Sequence, residues 1–127
     1  MAHDQHHEHL VQEITEQFEP VLSGSPQGVY IYLDDAHKIC NKKFADMLGY
    51  ASVAEWVANE EPVGDVEEED QDKVIDAYGE ASRNFKASKV SFLLVRKDGK
   101  KIKVDGIMAP VTHKGEVFVI HFVSEEK

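Results

Sequence analysis

The sequence predicts an α+β fold: a five-stranded antiparallel sheet with short helices on one face and an N-terminal amphipathic helix. Three observations predict it. Residues 5–22 repeat apolar side chains at helical spacing. Lys38–Tyr50 packs a strand end, a helix cap, one apolar helical face and a stop into a few residues. The last third alternates β-branched and aromatic residues between turn signals, one of them Asp98-Gly99.

The elements follow in order. Leu10, Ile14, Phe18 and Val21 step by 4, 4 and 3, with Val11 and Leu22 beside them. This stripe must pack on the domain's own sheet, on a second copy, or on both. Pro20 should bend or end the helix near Glu19, because proline lacks the N–H of a helix interior. Ser23–Gly28 is a run of turn-formers, so residues 1–24 form a His-containing tail and helix ahead of a domain at 25–127. Gly28–Leu33 reads as a strand with Val29, Ile31 and Leu33 on one face and Tyr30 and Tyr32 on the other. A hairpin turn at 34–37 returns the chain through Lys38–Cys40.

Asn41 is placed to cap a helix whose buried face is Phe44, Met47 and Leu48, with Gly49 as its left-handed stop. Ser52 caps a second short helix carrying Val53, Trp56 and Val57. A longer helix near 69–84 starts among acidic residues, which suit its positive dipole end. Its expected buried face is Val74, Ile75, Tyr78, Ala81 and Phe85. Strands at 89–96, 101–112 and 117–123 complete the chain. The last is apolar almost throughout, which marks a central strand covered on both faces.

Two of these stretches carry a resemblance. Asn41, Phe44 and Leu48-Gly49-Tyr50, followed at a distance by Arg96-Lys97-Asp98-Gly99, resemble the paired signatures of the PAS domain family over roughly residues 25–124. The resemblance implies the PAS fold and a non-catalytic sensing or signalling role. Such a domain binds a small molecule in its cleft or mediates protein–protein contact and dimerisation. PAS domains often dimerise through a leading helix, so Leu10, Ile14, Phe18 and Val21 are the expected homodimer contact. A small enzyme of the cystatin-like fold with an acid/base cleft is the alternative. The motif pair argues against it, and so does the lack of a His or carboxylate pair on the predicted inward faces.

The 127 residues suffice for one core. No run of about 18 apolar residues suggests a membrane span, and the first nine residues lack the apolar centre of a signal peptide. A single cysteine fits a reducing, cytoplasmic setting. The net charge of −10 argues against nucleic acid as a partner. Charge is uneven: residues 1–80 hold four basic and nineteen acidic side chains, and residues 81–127 hold ten basic and five acidic. Such faces are either simply solvated or help select a partner.

The cleft candidates are Tyr30, Tyr32, Met47, Trp56, Tyr78 and His121. Each is a core side chain or a ligand contact. His121 stands among Val117, Val119 and Val123 on its face of the last strand, where a buried imidazole needs a partner. No ligand follows from the residues, but the resemblance disfavours some cofactors. The haem ligand His of oxygen-sensing PAS domains has no counterpart between His37 and Thr112. Cys40 precedes its Asn and sits at a strand end, which does not match covalent flavin or chromophore attachment. It reads as a small core hydrophobe. His3, His6, His7 and His9 have chelating spacing on an exposed terminus; adventitious binding is the reading, and no metal site is assigned. Phosphate-loop, zinc-protease and hydrolase motifs are absent. The sequence stops soon after the last strand, so a separate partner protein or self-association is expected to carry any signal.

Overall fold

A computed structural model describes the backbone at residues 2–34, 37–59 and 62–126, and the side chains at 9–33, 37–59 and 64–126. The helices are α1 (Ala2–Gln17), α2 (Glu19–Gly24), α3 (Lys42–Met47), α4 (Val53–Val57) and α5 (Gln71–Asn84). The strands are β1 (Gly28–Asp34), β2 (His37–Cys40), β3 (Ser88–Val95), β4 (Lys101–His113) and β5 (Glu116–Glu125). All strands pair antiparallel in the order β2-β1-β5-β4-β3. This is the predicted α+β architecture. The expected tail histidines His3, His6 and His7, and the turn residues Asp35 and Ala36, lie outside the described side chains.

The last strand in sequence is the middle strand in space, which explains its apolar run. One face of β5 carries Val119, His121 and Val123 into the core beneath α3, α4 and α5. The other carries Phe118 and Ile120 into a second core with Val29, Ile31, Leu10 and Ile14. Each large apolar side chain so buried contributes roughly 1.5–3 kcal/mol.

The leading helix therefore covers the far side of the sheet. Leu10 and Ile14 are 2% and 1% exposed within one copy of the chain. The stripe thus packs on the chain's own sheet, with Phe18, Val21, Val11 and Leu22 half-buried. Glu13 ties α1 to the β4–β5 hairpin, 2.7 Å from Lys114 Nζ and 3.2 Å from His113 Nε2. These contacts, Lys114 first, hold the Glu13 carboxyl below its usual range. As Pro20 predicts, the helix is interrupted close to Glu19: the chain breaks at Phe18, and Pro20 falls in the first turn of α2, where no N–H is needed.

The two signature stretches touch. Arg96 Nη1 donates to the Met47 carbonyl at 2.9 Å, and Lys97 N donates to the Leu48 carbonyl at 2.8 Å. Lys97 Nζ also reaches Glu55 at 2.8 Å. Gly49 adopts φ +81°, and a Cβ there would stand 3.2 Å from the Arg96 guanidinium. The glycine thus permits both the left-handed stop of α3 and the close approach of the hairpin. Although it begins a surface turn, Arg96 is half-buried and satisfies a helix C-terminus. Arg96→Ala should lower the unfolding free energy by about 1–2 kcal/mol in urea titration, because a charged donor is lost from a part-buried carbonyl. An unchanged midpoint would sink that role.

On α5, Val74 and Ala81 are buried as expected, but Ile75 and Phe85 are 52% and 56% exposed. Phe85 lies one position beyond the helix, in the left-handed conformation at φ 52°, which turns it off the helical face.

Candidate functional site

A cavity of about 180 Å³ lies between the sheet and the short helices. Strand alternation points Tyr30 and Tyr32 of β1 into it while Val29 and Ile31 point away. Pairing of Tyr30 with His121 sets their rings side by side, stacked at 3.9 Å and 10°. On α5, Val74 and Tyr78 are one turn apart and both line the cavity, with Ile75 at its exposed rim. Tyr78 meets Tyr32 edge-on at 5.4 Å and lies parallel to His121 at 6.1 Å. Phe44 of α3 and Trp56 of α4 meet edge-on at 5.2 Å, and Trp56 also meets Tyr30 edge-on at 5.6 Å.

Five of the six cleft candidates therefore line one space: Tyr30, Tyr32, Trp56, Tyr78 and His121. Met47 does not. It is half-buried beside Lys43, Asp46 and Arg96 around a separate depression. The reason is local: α3 ends at Met47, and the residues of that helix facing the cleft are one turn earlier, at Phe44.

His121 is 3% exposed, and its Nδ1 contacts the Tyr30 carbonyl at 3.3 Å. A carbonyl only accepts, so Nδ1 carries the proton. Burial pushes the imidazole pKa down to about 3, against the pull of the Tyr30 and Val119 carbonyls. The ring is neutral at physiological pH. Cys40 is likewise buried, with its thiol pushed up to about 12 by desolvation, and is chemically quiet.

The polar end of the cavity was missed by sequence reading. Asp65 lines it, accepting from Tyr50 Oη at 3.0 Å and from Asn59 Nδ2 at 3.2 Å. Burial raises its pKa above the ordinary carboxylate value, although Tyr50 and other donors pull it down. Tyr50 is pushed up to about 12 by burial and by the neighbouring carboxylate. Lys38, 2% exposed, donates to the Val57 carbonyl at 2.8 Å and stands 5.5 Å over the Trp56 ring. The expectation that no carboxylate joins a His on the inward faces is thus corrected: His121 and Asp65 share one cavity. Asp65 sits in a single-turn 3-10 helix at Pro62–Asp65, where no periodicity signals direction. Among the described residues no group of three or more metal-ligating side chains assembles, and no helix is long and apolar enough to cross a membrane.

No protein-family model matches the sequence, and no curated protein matches it. Solved structures do. The PAS domain of an HTR-like protein from Haloarcula marismortui superposes with a TM-score of 0.63 at 19% identity, over 96% of this chain and 99% of that one. A PAS domain of a protein from Colwellia psychrerythraea gives 0.67 at 15% identity, over 89% and 97%. A PAS domain from a two-component sensor histidine kinase gives 0.63 at 14% identity, over 91% and 99%. At these identities the likeness is one of fold.

Proposed function

We propose that this chain, which folds as a PAS-like domain, is a non-catalytic sensor module that holds a small molecule in its cleft. One observation carries the reading: the packed aromatic side chains leave about 180 Å³ between them. The space is a cleft open to solvent past the exposed Ile75 and lined mainly by apolar and aromatic side chains, the character of a small-molecule site. An apolar cavity of ~150 Å³ admits a benzene ring, so this one suits roughly eight to twelve non-hydrogen atoms.

His121 and Asp65 in one cavity raise the catalytic alternative. It is the weaker one. An imidazole whose pKa is pushed down to about 3 is a poor general base at neutral pH. The Asp65 carboxylate already accepts from Tyr50 and Asn59. In a homodimer, the leading helix would contribute Phe18 and Val21 rather than the buried Leu10 and Ile14.

Native mass spectrometry of protein purified without added cofactor, with an absorbance spectrum, tests this reading. The expected result is extra mass of roughly 100–170 Da that is lost on denaturation, in keeping with the cavity size. A clean protein mass, together with no saturable binding of ring-sized molecules, would favour the interaction module instead. The same spectrum gives the subunit count; a strictly monomeric mass would remove the homodimer.

A further inference from the structure

The outward face of α5 is built to meet a copy of itself. Among the described residues, Phe85 and Ile75 are the most exposed large apolar side chains. Ile75 lies in α5, and Phe85 follows its last turn. Phe85 also holds the left-handed backbone, at φ 52°, which glycine or asparagine adopts with less strain. So exposed a ring adds little to the chain's own core.

Charge along this face is ordered. Val74 and Ala81 turn one side of α5 to the sheet. Asp72, Asp76, Gly79 and Arg83 fall at i, i+4, i+7 and i+11 on the opposite side. The stripe is acidic towards the N-terminus of α5 and basic towards its C-terminus, where Lys86 extends it. Elsewhere Lys42, Lys97, Lys101 and Lys114 each meet a carboxylate of their own chain. Asp72, Asp76, Arg83 and Lys86 are all exposed and form no ion pair among the described residues. Gly79 lacks the Cβ that would push the Arg83 guanidinium away, so that group lies at the middle of the stripe. Glu80, on the flank, accepts from Asn84 at 3.2 Å.

A helix acidic at one end and basic at the other complements itself when two copies run antiparallel. We propose that α5 docks antiparallel on α5 of a second copy, about a two-fold axis near Gly79. That axis sets Asp76 against the other copy's Arg83, Asp72 against its Lys86 and Ile75 against its Phe85, each contact made twice. The contact lies across the sheet from Phe18 and Val21 and uses no ligand, so it is independent of the leading-helix contact and of the sensor reading. One helix pair buries less than a standard interface, so the association is weak, with a Kd of roughly 10–500 µM.

Sedimentation equilibrium of the full chain in about 0.1 M salt, from roughly 10 µM to 1 mM, tests this. The parent should show a reversible monomer–dimer equilibrium. Asp76→Arg or Arg83→Asp alone should raise Kd about tenfold or more, because each sets like charges together twice. The double variant Asp76→Arg/Arg83→Asp should return to within about threefold of the parent. Circular dichroism checks that all three fold. Phe85→Asn, which suits the left-handed turn, should weaken the dimer about tenfold without lowering Tm. A monomer throughout, single swaps that leave Kd unchanged, or a double variant no better than the singles would each overturn the proposal. So would a lower Tm with unchanged Kd in Phe85→Asn, since the ring would then serve its own chain. A dimer lost in Val21→Glu yet untouched by the α5 variants would overturn it and leave the leading-helix contact standing.

Discussion

Asn41→Ala is expected to lower the unfolding free energy by about 3 kcal/mol. Asn41 is 5% exposed and makes three side-chain hydrogen bonds. Its Oδ1 accepts from Phe44 N at 2.9 Å, the ordinary work of a helix cap, and from Val29 N at 3.0 Å, at the start of β1. Its Nδ2 donates to the Gln27 carbonyl at 3.0 Å. Alanine leaves the Val29 N–H unpaired, and Val29 is wholly buried. The loss of a cap alone costs about 1 kcal/mol, and each stranded buried donor adds about 1–3. Asn41→Asp keeps both accepted bonds but replaces the donor to Gln27 with a second acceptor facing that carbonyl. Urea titrations of the two variants should therefore separate, with Asp recovering about half of the loss. Equal midpoints for Ala and Asp would show that the accepted bonds are not what holds the junction.

Acid should weaken the fold through His121. Its folded pKa lies near 3, below the ordinary value of about 6.5 in the unfolded chain. Between these values the unfolded state binds the proton and the folded state does not. Stability is therefore full above about pH 6.5 and falls as pH drops through the window towards 3, with a slope approaching about 1.4 kcal/mol per pH unit. The groups facing His121 are the rings of Tyr30 and Tyr78, with Asp65 in the same cavity. Asp65 acts with the opposite sign: its raised pKa favours the proton in the folded state, which offsets part of the loss as pH falls towards 4. Melting curves of the parent and His121→Phe between pH 7.5 and about 4.5 isolate the histidine. The parent should lose stability faster, by roughly 1 kcal/mol for each pH unit. Parallel curves would mean that His121 titrates alike in the folded and unfolded states.

The sequence by itself determined the elements whose hydrogen bonds and contacts are local. Asn41 capping Phe44, Ser52 capping Glu55, and the strand alternation of Tyr30 and Tyr32 against Val29 and Ile31 all act over four residues or fewer. Such interactions leave a period or a residue type at fixed spacing, and the helices and strands were legible from them. The middle position of β5 was legible too, because burial on both faces demands an apolar run.

What only the tertiary structure decided spans long loops. Arg96 reaches the carbonyl of Met47 across 49 residues, and no local pattern announces that a turn arginine will close a helix. The stripe of α1 is amphipathic whatever covers it; only the assembled sheet shows Leu10 and Ile14 packed with Phe118 and Ile120 of the same chain. Ile75 and Phe85 kept the helical period yet face water, because the α5 contact is narrower than its apolar stripe and the helix ends before Phe85. Asp65 entered the cavity from an aperiodic loop. The cavity itself is a difference between the volume enclosed by sheet and helices and the volume of the side chains pointing inward. That difference exists only once the elements are assembled, so no single stretch of sequence encodes it.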